Sequence, residues 1–173
     1  MPHSPLLSQF KDRFKQQGKP ILDLACGRGR NGLYLHQQHF PVQFADKNSG
    51  LLEQLQQQHN IQGQDCYPVD FETGAQHLVA NSFQAILVFR YLHRPLMAQI
   101  KAAIEPGGFL IYETFTTQNR QFGRPNRDEF LLQPNELQEI FQDWHCLFYF
   151  EGIKVGPDRA IAQIVCQKPI QAI

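Results

Sequence analysis

Short apolar runs alternate with polar, helix-forming stretches along most of the chain. Ile21 to Ala25 has the character of a buried strand, and a helical pattern follows from about Gly29 to Gln38. Val42 to Ala45 predicts a second strand and Leu51 to His59 the helix after it. Tyr67 to Val69 reads as a short third strand, followed by a brief helical turn around Ala75 to Val79. Phe83 to Phe89 is a strongly apolar fourth strand. Pro95 suits the first turn of the next helix, Pro106-Gly107-Gly108 would close it, and Phe109 to Tyr112 supplies a fifth strand. Strands separated by helices in this rhythm predict a parallel sheet covered on both faces.

The last third departs from the rhythm. A polar loop, Thr114 to Glu129, leads to a helix opened by Pro134 and running to about Phe141. Two strand-like segments, Cys146 to Phe150 and Ala160 to Cys166, then follow with no helix between them. Gly152, Gly156 and Pro157 in the connection predict an antiparallel hairpin. The expected fold is therefore α/β. It is a single-domain, Rossmann-like doubly wound sheet over residues 1–173, mostly parallel, ending in a C-terminal antiparallel hairpin.

Composition narrows the picture without redirecting it. The chain has 173 residues, 42% of them hydrophobic and 18% charged, as expected of a globular domain that buries roughly two thirds of its unfolded surface. Sixteen basic and sixteen acidic residues cancel, so no net basic field points to nucleic acid. Cys26, Cys66, Cys146 and Cys166 are far apart and form no CxxC pair, a pattern of reduced thiols. His36 and His39 sit three apart with no third ligand nearby, so no metal is expected. No stretch is long and apolar enough for a signal peptide or a membrane span, and the expected location is the cytoplasm.

The chemistry concentrates in one stretch, Ile21-Leu22-Asp23-Leu24-Ala25-Cys26-Gly27-Arg28-Gly29-Arg30-Asn31-Gly32. Gly27, Gly29 and Gly32 match GxGxxG between a strand and a helix, where glycine permits a tight turn and close approach of a ligand to the backbone. Such a loop serves NAD as well as S-adenosylmethionine. Asp23, inside the strand, is costly to bury without a partner. It is sensible as an anchor for the loop amides, as a counter-charge to a sulfonium, or as both. Asp46 closes the second strand about 20 residues beyond the loop, where a carboxylate can accept from both ribose hydroxyls. Lys47 adjoins it. Asp70-Phe71 follows the third strand, at the expected adenine position. Asp70 there either accepts from the exocyclic amine or caps a helix, and the Phe71 backbone would meet the ring edge. Cys26 reads as a small packing residue of the loop, and Phe89 ends the fourth strand against the same site.

Taken together, Leu22-Asp23-Leu24-Ala25-Cys26-Gly27-Arg28-Gly29, Asp46, Asp70 and the terminal hairpin resemble the class I S-adenosylmethionine-dependent methyltransferases over nearly the whole chain. Within that class, Cys26-Gly27-Arg28-Gly29-Arg30-Asn31 followed by Leu33-Tyr34-Leu35 is similar to the tellurite-resistance methyltransferase (TehB-like) group. Tyr91-Leu92-His93-Arg94-Pro95 and Tyr112-Glu113-Thr114-Phe115 are similar to it as well. The resemblance implies a seven-stranded methyltransferase fold, S-adenosylmethionine as cofactor and S-adenosylhomocysteine as product. Ala25 stands where many members carry glycine, a small change not expected to disturb the turn. Asp23 and the hairpin argue against an NAD-dependent oxidoreductase. A catalytically silent binder of the same cofactor would keep the same residues.

In a doubly wound sheet the reacting centre lies beyond the carboxyl ends of the strands. After the fourth strand, His93 has the intrinsic pKa of a general base, or else braces the helix at Pro95, and Tyr91 would bind or shape the acceptor. Arg90, with Arg120 and Arg124 from the polar loop, suits a small anionic acceptor, although a solvated surface loop has the same composition.

Overall fold

The computed structural model describes residues 2–170. Its strands are β1 (Ile21–Leu24), β2 (Val42–Asp46), β3 (Cys66–Pro68), β4 (Phe83–Phe89), β5 (Ile104–Phe115), β6 (His145–Lys154) and β7 (Arg159–Gln167). The helices are α1 (Pro5–Phe10), α2 (Arg30–His36), α3 (Ser49–His59), α4 (Met97–Ala103) and α5 (Glu136–Ile140). All seven strands join one sheet in the order β3-β2-β1-β4-β5-β7-β6. The first five are parallel, and β7 runs antiparallel to both β5 and β6. A doubly wound sheet closed by a C-terminal hairpin is the architecture expected from the sequence.

Each face of the sheet carries its own core. Leu22, Leu24, Ile86, Val88, Leu110 and Tyr112 pack against Leu96, Ile100, Leu137, Phe141 and Trp144. On the other face, Ile21, Phe44, Leu87, Ile111 and Val165 meet Leu6, Leu7 and Phe10 of α1, together with Leu35, Leu52 and Leu55. Burial on both faces explains why β4 reads as a continuous apolar run rather than an alternating one. α1 is absent from the periodicity argument, yet its start is local. Ser4 accepts a hydrogen bond from the Leu6 amide, and Pro5 fills the first turn, where no amide donor is needed.

Several sequence expectations are corrected. Ala75 to Val79 is not helical; the turn is a 3₁₀ helix at Phe71–Thr73, capped by Asp70. Gly74 then takes φ +69° and ends it. The proline and glycines of Pro106-Gly107-Gly108 do not close α4, which stops at Ala103. They lie inside β5, which begins at Ile104, and the register against β4 shifts between Phe83 and Ala85. A Cβ on Gly108 would stand 2.7 Å from the Gln84 carbonyl, so the close strand approach is what requires glycine there.

The stretch after β5 is pinned rather than free. Thr116 bridges Leu132, and 3₁₀ turns occupy Thr117–Phe122 and Asp128–Phe130. Asn119, buried, donates to the Pro125 carbonyl and accepts from the Ala160 amide. Arg94 grips the far end of the segment. Its guanidinium donates to both Glu136 carboxylate oxygens at 2.6 and 2.8 Å and to the Leu131 carbonyl at 2.8 Å.

Candidate active site

The strand order reverses direction between β1 and β4, which opens a crevice at the carboxyl edge of the sheet. The glycine loop fills one side of it. Three residues of the loop take left-handed backbone angles: Ala25 at φ +52°, Gly27 at +57° and Gly29 at +68°. Ala25 forms the turn, in a conformation that an L-residue enters at a cost of about 1 kcal/mol.

The three glycines do different work. A Cβ at Gly32 would lie 2.5 Å from the Phe44 ring and 2.8 Å from an Asp23 oxygen, and one at Gly29 would meet Leu55 at 2.8 Å. Both are packing positions that let α2 sit close to the sheet. A Cβ at Gly27 would meet nothing within 4 Å. Its open face fits a ligand that approaches the backbone.

Two carboxylates fix the loop. Asp23, buried on β1, accepts from the Gly32 amide at 2.8 Å. Burial raises its pKa to about 7, against the lowering effects of the Gly32 hydrogen bond and the Arg30 charge. Asp46 accepts from the Gly27 amide at 2.7 Å through one oxygen and from the Asn48 amide at 2.9 Å through the other. Each oxygen keeps a second lone-pair direction. Asp70 accepts from the Glu72 amide at 3.0 Å, so it is a helix cap that also borders the crevice. Burial pushes the Cys26 thiol well above its ordinary value, which keeps it protonated and suits a packing role.

The crevice is a cleft of about 240 Å³. Ala25 lines it from the glycine loop, Asp46 and Lys47 from the end of β2, Val69 to Glu72 from beyond β3, and Arg90 and Tyr91 from beyond β4. Lys47 and Glu72 face each other at 3.8 Å. A second cleft, about 290 Å³, shares Glu72, Arg90 and Tyr91 with the first and adds Leu92, Thr114, Phe115, Pro125 and Phe130. An outer groove continues along Leu92, His93, Arg94, Glu129 and Phe130.

Of the residues singled out in the sequence, the structure brings Ala25, Asp46, Lys47, Asp70, Phe71, Arg90 and Tyr91 together around the first cleft. Asp23, Gly29 and Cys26 lie beneath or beside the loop. Phe89 packs against the core on the α1 face of the sheet. His93 lines the outer groove, and its side chain makes no cap bond to the turn that follows. Arg120 is paired with Asp128 and donates to the Asn126 carbonyl, away from both clefts. Arg124, exposed, lines neither. Val69, Glu72, Thr114, Phe115, Pro125 and Phe130 were missed. Val69 and Glu72 flank Asp70-Phe71 and could have been included on that ground. The others reach the site only because β5 and the loop after it fold back over the end of β4.

This crevice and sheet define the S-adenosylmethionine-dependent methyltransferase fold. A solved structure of such a methyltransferase from Methanosarcina mazei superposes with a TM-score of 0.74 at 14% identity, covering 99% of this chain and 100% of that one. The crystal structure of TehB from Haemophilus influenzae gives 0.73 at 21% identity, over 96% of this chain and 62% of that one. The chain belongs to the tellurite resistance protein TehB family, whose profile it matches over residues 7–157. It is 27% identical over 140 residues to the probable S-adenosyl-L-methionine-dependent methyltransferase TehB of Haemophilus influenzae. That alignment takes in 77% of this chain and 48% of the relative, so the chain spans about half the length of the curated relatives it matches.

Proposed function

We propose that this protein is an S-adenosylmethionine-dependent methyltransferase acting on a small-molecule acceptor. One observation carries the reading: Ala25 of the glycine loop, the Asp46 carboxylate that holds the Gly27 amide, and Asp70-Phe71 meet at one cleft, and that cleft shares a wall with a second. When bound, the cofactor supplies an electrophilic methyl group on a sulfonium. The protein's part is to hold, orient and exclude water.

The remaining lone pairs of Asp46 accept from the ribose hydroxyls, and Lys47 borders the same end. Asp70 accepts from the adenine amine, and the Phe71 backbone meets the ring edge. Asp23 and the loop of Ala25, Cys26, Gly27 and Gly29 support the cationic end, with Phe89 packed behind. Tyr91 stands at the junction of the two clefts and shapes the acceptor, and Arg90 beside it suits an anionic one. His93, together with Arg120 and Arg124, belongs to the outer surface, where it would meet the distal part of a larger acceptor. Among the described residues no helix is long and apolar enough to cross a membrane. With free cysteines throughout, the reading places the reaction in the cytoplasm, within one domain and without nucleic acid.

Calorimetric titration with S-adenosylmethionine, S-adenosylhomocysteine and NAD tests the assignment, with Asp46→Ala as control. Loss of two charge-assisted hydrogen bonds predicts a fall of about a hundredfold in affinity for the first two ligands. Binding of NAD in their place, or undiminished binding by the variant, would refute the reading.

A further inference from the structure

The second cleft is the place where an acceptor would meet a methyl group delivered from the first, and its chemistry is specific. Its apolar walls are Leu92, Phe115, Pro125 and Phe130, with Thr114 beside them. Phe130 is an aromatic ring left 41% exposed, a surface that a bound molecule would cover. Two charged side chains enter from the junction. Glu72 has Lys47 opposite it. Arg90 differs: among the described residues its guanidinium makes no hydrogen bond or ion pair, and only its backbone amide is engaged, donating to the Glu113 carbonyl at 2.7 Å.

Arg90 also takes φ +57°, a left-handed angle rarely adopted by a residue with a side chain. Such strain persists where surrounding structure enforces it and is concentrated at functional positions. Here the enforcing contact is the same amide bond to β5, which sets Arg90 at the shared wall of both clefts. An unpaired cation, a strained backbone and an apolar chamber thus coincide at one point.

We infer that the acceptor is a small hydrophobic anion, whose apolar body lies against Leu92, Phe115 and Phe130 and whose charged nucleophilic end is held by Arg90. The inference rests on the methyltransferase reading above and narrows it to a substrate class. Glu72 is the carboxylate at the junction, and it faces Lys47 at 3.8 Å rather than standing free as a base. Burial raises the Tyr91 phenol above its ordinary value, so it stays protonated, and His93 lies in the outer groove. An acceptor that is already an anion needs no base. Its lone pair forms the new bond to the methyl carbon, the carbon–sulfonium bond breaks with its electron pair passing to sulfur, and the products are the neutral methylated acceptor and S-adenosylhomocysteine. Thiolates and carboxylates share this chemistry; one gives a methyl thioether and the other a methyl ester.

The test begins with binding. S-adenosylhomocysteine is titrated into the protein, and the complex is then titrated with 4-nitrothiophenol, 3-phenylpropionate and the size-matched controls phenethylamine and benzyl alcohol. The anions are expected to bind roughly ten- to hundredfold more tightly than the controls, as fits one charge-assisted contact. Arg90→Gln should abolish that preference, and Arg90→Lys should restore part of it. Phe130→Ala, outside the first cleft, should weaken anions and controls alike while S-adenosylhomocysteine binds as before. Mass spectrometry after S-adenosylmethionine is supplied identifies the thioether or the ester. Failure to bind S-adenosylhomocysteine overturns the methyltransferase reading and the inference with it. Normal S-adenosylhomocysteine binding with no anion preference, an unchanged preference in Arg90→Gln, or selective methylation of phenethylamine overturns the inference alone.

Discussion

Asp23 is a carboxylate held out of water, and replacing it with asparagine isolates the cost of its charge. It is 3% exposed, and burial lifts its pKa from 3.8 to about 7. Between those values the folded protein keeps a proton that the unfolded chain has lost. This group's contribution to stability therefore falls as pH rises from about 4 to about 7, and the full penalty applies above that window. At roughly 1.4 kcal/mol per pH unit, the penalty is about 4 kcal/mol at pH 8. Asp23→Asn removes the charge and leaves an oxygen to accept from the Gly32 amide. The ligand-free variant should be more stable than the parent protein at pH 8 by up to about 4 kcal/mol, with the gap closing near pH 4. Urea unfolding followed through Trp144, the single and buried tryptophan, measures this at about pH 4, 6 and 8. Comparing variant and parent cancels the titration of every other group. The bound state should show the opposite side of the exchange. If the carboxylate is retained for a sulfonium, the preference for S-adenosylmethionine over S-adenosylhomocysteine should fall in the variant. A variant no more stable at pH 8, or a gap that does not change with pH, would refute the account of Asp23 as a desolvated charge.

The loop makes further outcomes measurable. Ala25→Gly relieves a left-handed angle and, after the added freedom of the unfolded chain is counted, should stabilise by up to about 0.5 kcal/mol in thermal unfolding; a lower melting temperature would contradict this. Gly32→Ala forces a methyl into the Phe44 ring and should cost about 1–3 kcal/mol, so a neutral result would mean that α2 can shift away from the sheet. Arg94→Met removes the fork on Glu136. Burial alone would raise that carboxyl, but the hydrogen bonds from Arg94 and from the Gln133 amide outweigh it and hold it below its ordinary value. Because the pair is partly exposed, the expected loss is about 1–2 kcal/mol. Amide exchange should rise over residues 117–136 and stay unchanged in β1 and β4; protection unaltered in the loop would show that Arg94 does not hold it.

What the sequence by itself determined is local. Apolar runs of strand length, the helical spacing between them and the glycine punctuation specify β1 to β4 and their parallel direction, because side-chain period and turn chemistry act over a few residues. The hairpin was legible for the same reason, since two strand patterns with no helix between them have little choice but to pair. Asp46 was legible from its spacing, as a residue closing the strand beside the glycine loop must face that loop, and its bond to the Gly27 amide follows.

Tertiary structure decided the rest. Pro106-Gly107-Gly108 looks like a helix stop but lies in β5, because pairing with β4 outweighs local turn preference. Ala75 to Val79 has helix formers, yet Asp70 and Gly74 close the turn before they are reached. Three arginines looked equivalent in the sequence. Arg90 lines the clefts because its amide is bound to β5, whereas Arg120 is paired with Asp128 and Arg124, exposed, lines neither cleft. The loop that carries Pro125 and Phe130 to the site is held by Arg94 and Glu136, 42 residues apart. Contacts of that range leave no periodicity in the chain, so the cofactor end of this site was readable from sequence and the acceptor end emerged only in the fold.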